Sequence, residues 1–359
     1  MELSRGINRS HALLVSILIC LAAFFAALLA RNGQSVPLRS AIRLNASSLS
    51  DVQVQGDHVY YLEGGSLHCV NTKGKFVWNA GVDAASNFSV NKSGLAVWSG
   101  TRLTTIDINT GVPLGNIQLS QDVSYAVMGD VYSAAVIGPE HSSQVVLTDR
   151  YGNTVDTLTD FDEVLVMDCG FFEGREIFWI MTLDSTGSEP VCRISTYKPG
   201  RRETGQINDM EQLIYRVIFR SNSILAVGTR YMAMYDYTGN ETKSARVNLY
   251  GYYLEAADEN EEPTLLFCPS SPTGAVRDAR AIFAGNEYLL HMPVECRRLL
   301  VKDQTVYGIS RERLAVTTLG TGDVVTYLLP MQVNDVIGIT ADKTAVITSG
   351  GAIYLIRLP

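Results

Sequence analysis

Chemistry in this chain would have to come from a short supply of metal ligands and nucleophiles. Histidine occurs at only five positions, His11, His58, His68, His141 and His291. His58 and His68 fall on what read as adjacent strands, yet a zinc site needs further ligands at set spacing and none stands near. The acidic run Asp258-Glu259-Asn260-Glu261-Glu262 invites a calcium reading. It lacks the spacing and the internal glycine of a calcium loop, so it reads as a solvated loop between two strands. Asp160, Asp162 and Glu163 read the same way. No Gly-x-Ser-x-Gly elbow, phosphate loop or His-Glu-x-x-His occurs. Two carboxylates could still cleave a glycosidic bond, but only if distant parts of the chain converged on one place. The expectation is no catalytic residue, no cofactor ligand and no metal ligand.

The cysteines carry little more. Cys20 lies in an apolar run, and Cys69, Cys169, Cys192, Cys268 and Cys296 each sit in or beside an apolar stretch. Five is an odd number, and no Cys-x-x-Cys pair occurs. A buried free thiol behaves as a small hydrophobe, although a Cys169–Cys192 bridge stays open as an alternative.

The elements that would position any site announce themselves through glycine. Gly74, Gly111, Gly152, Gly200, Gly239, Gly285 and Gly322 recur at intervals of 37, 41, 48, 39, 46 and 37 residues. Each closes a short turn after an apolar run. His58–Leu62, a Gly64-Gly65 reversal, Ser66–Val70, the turn ending at Gly74 and Phe76-Val77-Trp78 show the unit clearly. Strands of about five residues joined by tight turns leave no room for helices. A period near forty made of such strands is the mark of a β-propeller. Unit onsets fall near Val52, Phe88, Val123, Val164, Arg216, Tyr252, Leu299 and Val336. That count predicts an all-β, eight-bladed propeller, with seven blades as the alternative. Units four and six carry insertions near 184–189 and 269–278. The eighth unit has only three strands before the chain reaches Pro359, so the strand near 40–44 is expected to complete it and remove the bare edge.

The stretch from Val59 to Trp78 resembles a quinoprotein-type (PQQ-like) propeller repeat, and the stretch from Gly94 to Leu119 resembles it more weakly. With its N-terminal apolar run, the whole chain is similar to single-pass, membrane-anchored propellers of Gram-positive bacteria. The resemblance implies the fold. It does not imply the chemistry, because quinoprotein enzymes use a bound calcium and often an adjacent cysteine pair, which this chain lacks. No cofactor is expected.

Ala12 to Ala30 is an uncharged stretch long enough to span a bilayer core. Leu28 occupies the position where a signal peptidase would need a small residue, which favours an uncleaved anchor. The expected organisation is a tail over 1–11, a transmembrane helix over 12–30, a linker over 31–39 and the propeller over 40–359. The Arg5/Arg9-then-apolar order is export-like, so the propeller is expected outside the cytoplasm. Of 29 basic and 37 acidic side chains, four and one fall in residues 1–39, leaving a net charge of −11 beyond them. That balance argues against nucleic acid, whose phosphates demand a basic patch. The functional expectation is a non-enzymatic, membrane-tethered scaffold for protein or cell-envelope partners. The alternatives are an enzyme with carboxylates at the central channel and a ligand or glycan sensor.

Overall fold

The glycine period becomes eight sheets of four antiparallel strands, one of them extended by a fifth, the blades of a closed ring. The computed structural model describes residues 36–38, 40–47, 49–159, 161, 163–172, 176–201, 203–242, 246–258, 260–271 and 274–359. The tail and the apolar run 12–30 lie outside these residues, as do Asp160, Asp162 and Glu259. Among the described residues no helix is long and apolar enough to cross a membrane. Blades 1 to 7 span 52–81, 87–118, 123–158, 164–209, 214–248, 252–296 and 298–328. Blade 8 takes three strands from 335–357 and its outer strand from Ala41–Ser47. The ring therefore has eight blades, not seven.

Burial within each blade follows from its place in the ring. Second strands such as Gly94–Ser99 and Ile224–Gly228 are buried almost throughout, because both faces of the sheet meet neighbouring blades. Outer strands such as Phe76–Gly81 alternate between exposed and buried side chains, as a strand with one solvated face must. Inner strands such as Val52–Gln55 are half-buried along their whole length, since their free edge lines the central channel. The apolar core is divided into eight clusters, and each joins one blade to the next.

The seven recurring glycines all close the turn between third and fourth strands, and all have φ between 67° and 99°. In blade 5, Asp236 Oδ1 accepts from the Thr238 and Asn240 amides, both at 2.9 Å, and so fixes the turn that holds Gly239 at φ 90°. Blade 8 has no such turn because its fourth strand comes from the other end of the chain. Seven glycines thus mark eight blades.

That closing strand pairs antiparallel with Ala352–Arg357, matching Ala41 to Ile356 and Ile42 to Leu355. Leu44 and Ala46 are buried against Val59, Tyr61 and Val70 of blade 1, so the strand joins first and last blades through side chains as well as backbone. Ahead of it, Val36–Pro37 runs parallel to the outer strand of blade 7, and the Leu38 amide donates to the Leu328 carbonyl at 2.9 Å. Part of the segment read as a linker is therefore docked as a fifth strand.

The tryptophans lock blade to blade. Trp78 donates from Nε1 to the Ile108 carbonyl at 3.1 Å, and its ring covers Gly111, where a Cβ would lie 2.4 Å from it. Trp98 packs edge-on to Tyr125 of blade 3. Cys69, Cys169, Cys192, Cys268 and Cys296 are all free and buried, so Cys169 and Cys192 form no bridge. Burial pushes the Cys69 thiol up to about 11 and those of Cys268 and Cys296 up to about 12. Thiols so placed hold almost no thiolate near neutrality.

Candidate functional site

Because strands alternate in direction, turns after the first and third strands of every blade emerge on one face of the ring. At the channel mouth on this face lies a cleft of about 660 Å³, walled mainly by blades 4, 5 and 6. Blade 4 contributes Phe171, Phe172 and Trp179, and blade 5 contributes the stretch 216–221. Asp258, Asn260 and Glu261 come from the turn of blade 6, and Lys92 reaches the cleft from blade 2.

One wall is aromatic. Phe219 stacks on Phe172 with ring centroids 5.4 Å apart, and lies 5.4 Å from Trp179. Tyr237 flanks Phe172 at 5.5 Å and donates its hydroxyl to the Arg220 carbonyl. Gly170 permits this packing, because a Cβ there would sit 3.0 Å from the Trp179 ring nitrogen.

The other wall is charged and incompletely paired. Asp258 is only 7% exposed. Its Oδ1 accepts from the Thr264 amide at 2.9 Å, while its Oδ2 has no donor. The fully buried Thr264 hydroxyl in the same turn is also without a partner. Arg220 Nε is shielded from solvent and meets no acceptor. Glu261 accepts from the Ser221 hydroxyl and so ties the turn of blade 6 to that of blade 5. Deeper in, burial raises the Asp168 carboxyl, against the pull of the Cys169 amide at 2.9 Å and of the Arg216 charge.

Asp258 departs from the solvated loop expected of the acidic run. It sits in a turn that Glu261 ties to Ser221 of blade 5, a pairing that a linear pattern does not display. Trp179, the Phe171-Phe172 pair and the Arg216/Phe219/Arg220 spacing were the available signals, and each reads equally as packing. The histidines do not converge. The His68 ring stacks on Tyr61 at 5.0 Å, His58 pairs across strands with Asn71, and His291 bonds Asp278 at 2.7 Å in an exposed pair. Among the described residues no group of three or more metal-ligating side chains forms.

A second feature occupies the rim of the same face. Phe76 of blade 1, Val112 of blade 2 and Tyr151 of blade 3 are 63%, 56% and 69% exposed. Each stands at a turn that abuts the preceding blade. Gly74 faces the Ile42 side chain of blade 8, Gly111 lies under Trp78 of blade 1, and Gly115 of blade 2 faces the Tyr151 backbone. Ile42, Phe76, Val112 and Tyr151 are thus exposed apolar side chains on four consecutive blades of the rim, an apolar arc in blade order. Leu289 and Val325 are exposed on the rims of blades 6 and 7. Blades 4 and 5 present no exposed large apolar side chain on their outer strands.

No family model matches the chain, and no curated protein matches it. Among solved structures it is similar to apo AztD from Citrobacter koseri, at 10% identity and a TM-score of 0.53 over 79% of this chain and 87% of that one. It is also similar to KlHsv2 with loop 6CD replaced by a Gly-Ser linker, at 9% identity and a TM-score of 0.53 over 79% and 97%. The WD40 domain of Neurospora crassa Pan2 aligns over 91% and 96% at 8% identity, with a TM-score of 0.47. At such identities the likeness concerns the propeller fold alone.

Proposed function

We propose that this chain is a membrane-tethered, non-enzymatic propeller whose apolar rim docks a protein partner. The observation that carries the reading is the arc of Ile42, Phe76, Val112 and Tyr151, held exposed on a rigid ring. Exposed apolar side chains that gather on one part of a surface are the mark of interaction sites. The uncharged run 12–30 supplies the tether, and the export-like order of its flanks favours a propeller outside the cytoplasm. The similarity of residues 59–78 to a quinoprotein-type repeat supports kinship with membrane-anchored propellers, and the seating of Trp78 on Gly111 gives that repeat a mechanical role. The acidic balance speaks against a nucleic-acid partner.

Tagged full-length protein recovered from native membranes should bring down a discrete partner. Phe76→Glu and Tyr151→Glu, at exposed positions, should each weaken that recovery about tenfold with an unchanged melting temperature. Recovery unaffected by both would refute the rim reading. The tether predicts retention in the membrane after carbonate washing and a mature N-terminus that still includes residues 1–11. A second reading, a ligand sensor, is favoured by the unpaired groups of the channel-mouth cleft.

A further inference from the structure

We propose that residues 33–35 dock on the open edge of blade 7, continuing the fifth strand of that sheet along Val324, Val325 and Thr326. The occupant of the edge is a stretch of this same chain, Gly33-Gln34-Ser35. The inference is independent of rim docking, and only its last consequence rests on the tether reading.

The edge is covered in part already. Val324–Leu328 pairs on its inner side with Arg313–Thr318, and on its outer side Val36–Pro37 matches only Tyr327 and Leu328. The backbone groups of a strand face its two sides alternately. The Leu329 amide donates inward to the Glu312 carbonyl at 2.9 Å, whereas the Leu328 carbonyl accepts from outside, from the Leu38 amide at 2.9 Å. Counting back in twos along an unbroken register, the amides and carbonyls of Thr326 and Val324 also face outward. The parallel match of Val36 to Tyr327 brings Ser35, Gln34 and Gly33 to Thr326, Val325 and Val324 in turn. In that register the Gln34 carbonyl accepts from the Thr326 amide, and the Gln34 amide donates to the Val324 carbonyl.

Residue types on both sides suit the pairing. Val324–Leu328 carries no charge and no proline, the usual guards of a bare edge, and leaves Val324 and Val325 37% and 47% exposed. Gly33, Gln34 and Ser35 are uncharged, and each has a backbone amide to give to the ladder. The extension brings the fifth strand from two residues to the usual length of about five. Only Arg31 and Asn32 then stand between the strand and the apolar run, and the three residue steps from Ala30 to Gly33 reach at most about 11 Å. With that run in a bilayer, blade 7 is held beside the membrane surface and the ring does not swing on a loose linker.

The test uses full-length protein in detergent and two readouts. Gln34→Cys is combined with Val325→Cys or with Leu328→Cys, treated with a short bis-maleimide and mapped by mass spectrometry of peptides. The in-register pair should link in about tenfold or higher yield than the pair displaced by three residues. Hydrogen exchange at the Thr326 amide should be about tenfold or more slower in the unaltered chain than in Gln34→Pro, which removes one bond of the extension. Equal yields from the two pairs, no link between positions 34 and 325, or Thr326 exchanging in the unaltered chain at the rate of a solvated amide would overturn the proposal. The exchange rate of the unaltered chain decides the matter even if a variant folds poorly. Neither readout depends on whether residues 12–30 span a bilayer, which carbonate washing tests separately, so the two failures are told apart.

Discussion

Blades 1 to 3 and blades 4 to 6 are built on one plan and differ in the length of their strands and turns. In blades 1 and 2 the first turns are two residues long, the strands run to four to six residues, and Phe76, Val77 and Val112 are exposed at the rim. In blade 4 the inner strand reaches nine residues, and in blade 6 the first turn spans 258–264 and the outer strand eleven residues. The extra length gathers charge and aromatic surface at the channel mouth. Regular blades leave their edges and turns on the outside, whereas enlarged blades fold excess chain over the axis. All eight share the four-stranded frame, and local length decides what each presents at the surface.

The comparison breaks most severely at ring closure, on which both regions depend. A chain lacking residues 41–47 loses the fourth strand of blade 8 and the Leu44 and Ala46 contacts with blade 1. It should melt far below the full chain and elute as aggregates in size exclusion, because the exposed edge recruits other strands. Leu44→Ala alone should cost about 2–5 kcal/mol in chemical unfolding. An intact melting temperature for the deleted chain would mean that the ring holds without this strand.

A smaller effect separates glycines that share one backbone conformation. Gly239→Val must tolerate positive φ and place a Cβ 2.1 Å from the Gln206 carbonyl oxygen of blade 4. Gly285→Val meets the same backbone demand with nothing within 4 Å. Both should destabilise by about 1 kcal/mol or more from backbone strain, and Gly239→Val should cost clearly more in denaturant titration. Equal costs would show that the turn of blade 5 is free to move off blade 4.

The smallest expected effect is a null one. Iodoacetamide at pH 8 should label none of Cys69, Cys169, Cys192, Cys268 and Cys296 in the native protein, and all five after denaturation. The thiol character follows from desolvation, and it lets an odd number of cysteines persist unbridged whatever the compartment. Labelling of Cys192 in native protein would point to opening between blades 4 and 5, the pair that its cluster joins.

The sequence displays the ring better than the sites. The eight onsets inferred from apolar runs lie within two residues of the first strands, because inner strands begin where turn residues end. The glycines are legible because positive φ is a local demand that no other residue type meets cheaply. Asp258 is not legible, since the cleft it lines is shared with Arg220 and Ser221, some forty residues away. Val36–Pro37 is equally obscure: a two-residue strand has no periodicity, and its partner lies at the far end of the chain. The rim arc needs knowledge of which turn abuts which blade, and only the assembled ring supplies it.

The rim reading makes the most direct demand on experiment. A photoreactive benzoylphenylalanine placed at position 76, 151 or 203 of the full-length chain, irradiated in native membranes, samples three exposed rim positions of one ring. Phe76 and Tyr151 lie in the apolar arc, and Glu203 opens the polar outer strand of blade 4. The account predicts one discrete cross-linked species of the same mass from positions 76 and 151 and none from position 203. Equal cross-linking from position 203, or no adduct from either arc position, would contradict it.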